Sequence, residues 1–203
     1  ISQPTEYGTL YSLEELEELS AVCRERDLKL FVDGARLAYA LASPANDVTL
    51  ADLARLTDVF YIGGTKCGSL FGEAVVIPER GSIRQFVTQM KQHGALLAKG
   101  RLLGVQFEAL FEDGLYLTIG EPAIEATARI REALKRAGYV VTMDSPTNLT
   151  FVALDQAGHE RLSDKVRYGI WETLPDGRYL ARIGTSWATP EEDVVAFEQA
   201  LAR

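Results

Sequence analysis

Three side chains that could do chemistry together follow two short apolar runs of this sequence. Asp33 and Arg36 come after the run 30–32, and Lys66 comes after the run 59–62 and two glycines. A short apolar run that ends in a polar residue beside glycine is typical of a buried strand whose last side chain reaches the rim of a sheet. We therefore expect a carboxylate, a guanidinium and an amine to meet at one rim.

Lys66 has no carboxylate close to it in the sequence. A buried and weakly paired lysine has a lowered pKa and becomes a nucleophilic amine. The alternative is a lysine that extends from a loop into solvent. A phosphate-binding loop is excluded, because Lys66 is followed by Cys67 and not by serine or threonine.

Asp33 is predicted to lie at the carboxyl end of a strand, where open α/β sheets bind ligands. Taken alone, Asp33 could be a turn or helix-cap residue, and Arg36 could be a surface ion-pair partner. The combination of Asp33, Arg36 and Lys66 matches the needs of one kind of chemistry. An enzyme that uses pyridoxal phosphate needs a lysine for the aldehyde of the cofactor and a carboxylate that keeps the pyridine nitrogen protonated.

The first half of the chain alternates helices and strands with short connections, which is typical of an α/β protein with a mostly parallel sheet. Ser12 and Glu15 form a capping-box pattern at the start of the first helix. The link from Lys66 to Ala74 is too short for a crossover helix, so we expect the strands on its two sides to be antiparallel. The predicted segments are a helix over 13–26, a strand over 28–32, a short helix or turn over 35–42, a helix over 50–56, and strands over 58–62 and 73–77.

The second half begins with a long helical stretch from Ser82, broken at His93 and Gly94. The apolar run 96–111 should be largely buried, and Gly138 ends an amphipathic helix that begins at residue 121. The pattern then changes to that of a small α+β unit, and we place a domain boundary near residues 98–115. The predicted segments of this unit are strands over 139–142, 148–154 and 179–186, and helices over 158–168 and 191–202.

Composition limits the partners of this protein. Of its 203 residues, 47% are hydrophobic and 25% are charged, and the formal net charge of −8 argues against nucleic acid or an anionic membrane as the main partner. No apolar run approaches the roughly 18 residues of a membrane helix. Cys23 and Cys67 form no spaced pattern, so we expect free thiols and a cytoplasmic location.

Two motifs resemble those of a known enzyme family. The segment Phe31-Val32-Asp33-Gly34-Ala35-Arg36-Leu37 resembles the Asp-Gly-Ala-Arg motif of the threonine aldolases, which belong with the aromatic-amino-acid β-eliminating lyases to the fold-type-I pyridoxal-phosphate enzymes. The segment Gly63-Gly64-Thr65-Lys66-Cys67-Gly68 is similar to the turn that carries the Schiff-base lysine of that group. The segments 99–110 and 180–187 are similar to the C-terminal half of the family, so the resemblance covers nearly the whole chain.

The resemblance implies a fold and a set of roles. The fold is the α/β fold of aspartate aminotransferase, with residues 1–100 as the C-terminal part of the large, mostly parallel pyridoxal-phosphate domain and residues 101–203 as the small α+β domain. Lys66 would hold the cofactor as a Schiff base, and Asp33 would pair with its pyridine nitrogen. Arg36 and Arg182 would bind the carboxylate of an amino acid, a bidentate task that suits guanidinium.

Other implied roles have simpler alternatives. Thr65 could donate to the cofactor phosphate or merely favour an extended backbone, and Arg182 could be a surface arginine of an edge strand. Lys99 and Arg101 are weaker phosphate candidates, because they fit equally well as solvated charges of a helix. Cys67 is expected to be a small buried residue and not a nucleophile.

The resemblance also implies groups that are not visible in this sequence. The chain starts at Ile1 with residues that read like the end of a strand, so we expect it to be the C-terminal part of a longer protein. The phosphate-binding helix start and the ring-stacking aromatic or histidine would then precede Ile1. The base for a substrate hydroxyl would come from there or be a water, since the only histidines are His93 and His159.

The implied reaction is that of a threonine aldolase, which cleaves a β-hydroxy-α-amino acid to glycine and an aldehyde. The alternatives are a β-elimination or a transamination on the same fold, and a non-catalytic fragment that lacks half of the site. A homodimer or homotetramer is implied by the family, because fold-type-I sites are generally completed across a subunit interface.

Overall fold

The computed structural model describes residues 1–202, which form two sheets with helices packed against them. The elements of the first half are α1 (Leu13–Glu25), β1 (Phe31–Val32), α2 (Leu37–Leu41), α3 (Leu50–Leu56), β2 (Val59–Gly63) and β3 (Glu73–Val76). The connecting helices are α4 (Phe86–Gln92), α5 (Arg101–Phe111), a 3₁₀ turn (Glu112–Gly114) and α6 (Leu115–Thr118). The elements of the second half are α7 (Glu121–Arg136), β4 (Val140–Val141), β5 (Leu149–Leu154), α8 (Gln156–Ser163), β6 (Gly169–Thr173), β7 (Tyr179–Gly184) and α9 (Glu191–Ala202).

The first sheet has the order β1-β2-β3. Strand β1 pairs with β2 in parallel, and β2 pairs with β3 antiparallel, as the short link between them predicted. Strand β1 has only two residues where we expected five, because residues 28–30 leave the ladder and Leu30 is held instead by the carboxylate of Asp58. Ser2 forms an isolated parallel bridge with Asp33 on the other side of β1.

Side-chain caps define where α1 and α3 begin. Ser12 and Glu15 form the predicted capping box at α1, and Thr49 forms a second capping box with Asp52 at α3. Each box satisfies backbone N–H groups that the first turn of a helix leaves without partners. The buried faces of α1, α2 and α3 pack on the first sheet in a core that includes Leu16, Val32, Leu37, Leu53 and Phe60.

The second sheet has the order β4-β5-β7-β6 and is antiparallel throughout. All six residues of its central strand β5 are buried, and α7, α8 and α9 contribute Leu134, Leu162 and Val194 to the core on one side of the sheet. We did not predict β6. Its residues are exposed or half-buried, so no apolar alternation marks the strand in the sequence.

The prediction for residues 82–111 was wrong in two respects. The helical stretch expected from Ser82 begins only at Phe86, and none of the residues of α4 is buried. Helix α5 begins at Arg101, and Leu110 is its one buried residue, although the apolar run suggested burial along its length. Residues 158–168 are likewise helical only in part, because the side chain of Asp155 caps α8 two residues earlier in the chain and the helix ends at Ser163.

The N-terminal segment 1–8 touches both sheets. The backbone N–H of Asp33 donates to the Ile1 carbonyl at 2.8 Å, which joins the segment to β1. At its other end the carbonyl of Gly8 accepts hydrogen bonds from the hydroxyls of Ser145, at 3.1 Å, and Thr147, at 2.9 Å. These contacts hold the two sheets beside a shared cavity.

Candidate active site

Two loops meet at the carboxyl ends of β1 and β2. The N–H of Gly63 donates to the Gly34 carbonyl at 2.9 Å, and the loop from Gly34 to Arg36 passes directly over the end of β2. A Cβ atom on Gly63 would lie 2.5 Å from the carbonyl oxygen of Gly34, so only glycine permits this approach. The close packing brings the loop that carries Arg36 beside the turn that carries Lys66.

The backbone of the lysine turn, residues 63–68, is fixed by three side chains. The hydroxyl of Tyr116 donates to the Gly63 carbonyl at 2.8 Å, and the carboxylate of Glu73 accepts from the Gly64 N–H. The hydroxyl of Tyr39 donates to the carbonyl of Lys66 itself at 2.6 Å. The turn is therefore rigid at its backbone.

The side chain of Lys66 is exposed, as the alternative of a lysine that extends from a loop into solvent predicted, and it is not a buried amine. Strand β2 ends at Gly63, and the two residues between that end and Lys66 carry the lysine out of the sheet to the cavity wall. The adjacent Cys67 is fully buried, as expected for a small packing residue. Burial raises the pKa of the Cys67 thiol to about 11, so it stays protonated and is no nucleophile at neutral pH.

Asp33 lies at the end of β1 with its two carboxylate oxygens in different settings. Oδ1 accepts a hydrogen bond from the Ala35 N–H at 3.0 Å and another from the hydroxyl of Tyr61. Burial and the hydrogen bond to Asp33 raise the pKa of Tyr61, which keeps it a donor. Within residues 1–202, Oδ1 accepts both hydrogen bonds made to the Asp33 side chain, so Oδ2 remains available as an acceptor. Asp33 is not among the residues that line the cavity.

Arg36 and Arg182 converge from the two sheets. The side chain of Arg36 is only 13% exposed, and its Nη1 lies 3.2 Å from Glu6 Oε1. Arg182, from β7, places its Nη1 3.8 Å from Glu6 Oε2 and its guanidinium 4.2 Å from the ring centre of Trp171. One carboxylate thus faces both guanidinium groups, and the aromatic ring supports the second of them.

A cavity of about 540 Å³ collects most of the predicted residues. Arg36, Thr65, Lys66 and Arg182 all line it, which gives an exposed amine and two guanidinium groups in one space. The cavity lies between the two sheets, because its wall also includes residues 148–149 and 184–187 of the second sheet and the loops beside it. Its polar wall suits a small ligand that carries a carboxylate.

Tyr39, Glu6 and Trp187 are site residues that the sequence did not reveal. Tyr39 and Trp187 line the cavity, and Glu6 pairs with both arginines. Each is distant in sequence from the residue it contacts, and none belongs to a motif with a recognised spacing. Only the pairing of the sheets brings them to the site.

The minor candidates lie away from the cavity, with one exception. Thr65 lines it, and its hydroxyl donates weakly to the Gly72 carbonyl at 3.4 Å. Lys99 and Arg101 are exposed, as expected for solvated charges, and His93 ends α4. His159 is half-buried, with Nδ1 2.7 Å from the Tyr168 hydroxyl.

Comparison with known proteins adds the decisive observation. Residues 1–157 match the family described as beta-eliminating lyase. The chain belongs to the beta-eliminating lyase family. Within it, the low specificity L-threonine aldolase of a Pseudomonas species is 39% identical over 199 residues, which are 96% of this chain and 56% of that protein. The resemblance found in the sequence is thereby confirmed.

Solved structures confirm the fold. A threonine aldolase from Leishmania major superposes with a TM-score of 0.93 at 44% identity, covering 100% of this chain and 59% of that one. An aspartate aminotransferase from Thermus thermophilus superposes with a TM-score of 0.70 at 16% identity, covering 100% and 55% of the two chains, which shows the fold alone. This member of the beta-eliminating lyase family has the α/β fold of aspartate aminotransferase, and the chain spans little more than half the length of these relatives.

Proposed function

We propose that this chain supplies the lysine-bearing part of the active site of a pyridoxal-phosphate lyase of the low-specificity L-threonine aldolase type. The reaction is the cleavage of a β-hydroxy-α-amino acid to glycine and an aldehyde. One observation carries the proposal: the exposed amine of Lys66 shares a cavity with the guanidinium groups of Arg36 and Arg182. The Pseudomonas and Leishmania relatives are both named threonine aldolases, which supports this reaction.

The donor set of the site fits pyridoxal phosphate. Lys66 offers a primary amine at the cavity wall, and Asp33 offers Oδ2 as an acceptor for a pyridine N–H at the end of the neighbouring strand. Thr65, beside the lysine, offers a hydroxyl to the phosphate. When bound, this cofactor supplies an aldehyde for the amine and a protonated ring that accepts the electron pair released at Cα.

The two arginines hold the substrate. Arg36 uses Nη1 for Glu6 and keeps its other N–H donors for a ligand, and Arg182 is held in place by the ring of Trp171. A carboxylate between the two guanidinium groups would fix the amino acid by charge-assisted hydrogen bonds, with its Cα directed toward Lys66. With the cofactor bound, the carboxylate of Asp33 would hold the proton on the ring nitrogen.

The proton of the substrate β-hydroxyl needs an acceptor, and neither histidine of this chain provides it. His93 ends an exposed helix, and His159 is hydrogen-bonded to Tyr168; neither lines the cavity. We assign this task to a group outside residues 1–202 or to water.

A second candidate is β-elimination, which the description of the family favours. The same lysine, carboxylate and arginines serve both reactions, so the products decide between them. With L-threonine, aldol cleavage yields glycine and acetaldehyde, whereas β-elimination yields free ammonia.

We extend the proposal to the whole protein. Residues 1–100 form the C-terminal part of the large cofactor-binding domain, and residues 101–203 form the small domain. The substrate is a small amino acid, and the protein acts as a homodimer or homotetramer in the cytoplasm. Among residues 1–202, no helix is long and apolar enough to cross a membrane.

Replacement of the lysine in the full-length protein tests the function. We expect Lys66→Ala to abolish both the visible absorbance of bound pyridoxal phosphate and the cleavage of L-threonine, because no other amine in the described part of the cavity wall replaces it. The matched control is Lys99→Ala, which removes an exposed lysine that does not line the cavity. Absorbance spectra and the release of glycine and acetaldehyde are the measurements.

Borohydride treatment gives a second measurement. Reduction of the wild-type protein with bound cofactor should add the mass of the reduced cofactor to the peptide that contains Lys66. If Lys66→Ala still traps the cofactor on the chain, the assignment of Lys66 is wrong. If the wild-type protein releases ammonia but no glycine, the elimination reaction replaces the aldolase proposal.

A further inference from the structure

Tyr39 connects the lysine turn with the loop that follows β7. Its hydroxyl donates to the carbonyl of Lys66 at 2.6 Å and accepts from the backbone N–H of Trp187 at 3.3 Å. The side chain is 1% exposed, and burial raises the pKa of the hydroxyl to about 12, so it remains protonated at neutral pH. A neutral hydroxyl can make both bonds at once, because it has one donor and two acceptor positions.

The two structures that Tyr39 connects are each held locally by other bonds. When the Tyr39 hydroxyl is removed, the lysine turn still accepts a hydrogen bond from Tyr116 and still donates one to the carboxylate of Glu73. The loop after β7 is a β-turn from Ser186 to Thr189, closed by the Thr189 N–H on the Ser186 carbonyl at 3.0 Å. Loss of the hydroxyl should therefore change the distance between the two structures more than the shape of either.

We propose that Tyr39 is a positioning residue that sets the place of the Lys66 amine relative to the substrate-binding wall formed by β7 and its following loop. The inference rests on the proposed function, since it assigns the amine and the carboxylate-binding arginines to one reaction. Tyr39 acts through the backbone of Lys66 and Trp187.

Loss of the Tyr39 hydroxyl should slow the chemical step and leave substrate binding intact. Arg36 and Arg182 are oriented by Glu6 and Trp171, which do not depend on the Tyr39 hydroxyl, so the carboxylate of the substrate keeps its site. The amine loses its alignment with the bound substrate, and a misplacement of about 1 Å costs on the order of 100-fold in rate. Tyr39 therefore governs kcat and leaves KM nearly unchanged.

Tyr39→Phe in the full-length holoenzyme tests the inference. We expect kcat for L-threonine to fall about 10- to 100-fold with KM within about threefold of the wild-type value. Hydrogen exchange of the Trp187 amide, measured by NMR in the same protein without substrate, should become faster because its acceptor is gone. This second readout does not depend on the reaction.

The matched control is Tyr168→Phe. The Tyr168 hydroxyl also makes two hydrogen bonds, to Nδ1 and the carbonyl of His159, but it lies in the second unit and does not line the cavity. We expect Tyr168→Phe to leave kcat, KM and the hydrogen exchange of the Trp187 amide unchanged. An unchanged kcat in Tyr39→Phe, an equal loss in Tyr168→Phe, or a rise in KM at constant kcat would overturn the inference.

A second pair of variants keeps the test decisive if Tyr39→Phe does not fold. Trp187 is the second residue of the Ser186–Thr189 turn, a position that proline favours, so Trp187→Pro removes the N–H donor and suits the turn. Trp187→Ala removes the same side chain and keeps the N–H. The inference requires Trp187→Pro to lower kcat about 10-fold or more relative to Trp187→Ala.

The outcomes separate this inference from the proposed function. If the wild-type protein neither binds pyridoxal phosphate nor cleaves L-threonine, the proposed function fails, and the exchange of the Trp187 amide still reports whether Tyr39 joins the two loops. If the wild-type protein is active and Tyr39→Phe matches it, only the role of Tyr39 fails.

Discussion

At the scale of single residues, the site depends on charges that the chain brings together from distant positions. Arg36 and Arg182 would repel each other at close range, and the carboxylate of Glu6 between them offsets this repulsion. A bound substrate carboxylate would add a second negative charge to the same pair. When an amino acid with one carboxylate is bound, two guanidinium groups would face two carboxylates.

The shape of the Arg182 side chain leads to a prediction. Arg182→Lys keeps the charge but loses the planar group that stacks on Trp171 and the paired donors for a carboxylate. We expect KM for L-threonine to rise roughly tenfold to a hundredfold, because a charge-assisted hydrogen bond contributes about 1.5–3 kcal/mol. Steady-state kinetics with L-threonine measure this change in KM.

Arg178→Lys is the control for that substitution. Arg178 pairs with Asp176 on an exposed turn and does not line the cavity, so its replacement should leave KM unchanged. A KM of Arg182→Lys equal to that of the control would show that Arg182 does not bind the substrate.

Motifs predicted part of the site, and contacts between distant residues account for the rest. The set of Asp33, Arg36 and Lys66 was recognisable because Asp33 follows an apolar run and borders glycine, Arg36 comes three residues later, and Lys66 follows a second apolar run and two glycines. The sequence could not decide between a buried and an exposed Lys66, because the exposure depends on where β2 ends and how far the turn extends beyond it. Tyr39 and Glu6 act through partners that sequence spacing does not reveal.

At the scale of helices and strands, local signals were reliable where the backbone itself needs a particular side chain. Helices α1 and α3 begin at the predicted residues because the side chains of Ser12 and Thr49 accept from N–H groups within their own helices. Burial was less predictable. The apolar residues of α5 lie mostly at the surface, and β6 pairs in the sheet without an apolar face.

The cap of α3 gives a prediction at this scale. Thr49→Ala removes the hydroxyl that accepts from the Asp52 N–H at 3.1 Å and should lower the free energy of unfolding by about 1 kcal/mol. Ser163→Ala is the control, since its hydroxyl donates within the last turn of α8 and caps no helix start. Urea denaturation measures the free energy of unfolding of both variants. A loss in Thr49→Ala no larger than in the control would mean that the capping box does not stabilise α3.

At the scale of the whole molecule, the two sheets are joined by the N-terminal segment 1–8. The segment pairs with β1 at Asp33, and its last carbonyl binds Ser145 and Thr147 beside the second sheet. Tyr7 packs against Phe151 and Trp171 in the same region. The sequence predicted two units, but it carried no signal for this connection, since the paired residues lie more than a hundred positions apart.

Gly8 is the position where this connection is easiest to break. It has φ +76°, and a Cβ atom there would lie 2.7 Å from Thr147 Oγ1. Gly138 has a similar φ of +83° with nothing within 4 Å, so Gly138→Ala measures the cost of the backbone conformation alone, about 1 kcal/mol. We expect Gly8→Ala to cost at least about 2 kcal/mol more, because the hydroxyls of Ser145 and Thr147 must move away from their acceptor.

Thermal and urea denaturation of both glycine variants check this expectation. Equal losses in the two would mean that the segment 1–8 does not couple the sheets. A larger loss of unfolding free energy in Gly8→Ala, together with a weaker affinity for L-threonine, would show that the contact between segment 1–8 and the second sheet also maintains the cavity.

The origin of the two arginines has a consequence for biosynthesis. A ribosome releases Arg36 and Lys66 long before Arg182, and a protein chain folds from its N-terminus as it emerges. The nascent first sheet can present its lysine to solvent early, but it cannot hold a substrate carboxylate between two guanidinium groups until β7 has been translated and paired with β5. In the proposed site, binding of the substrate carboxylate therefore has to await the pairing of β7, when the amine of Lys66 is already in place.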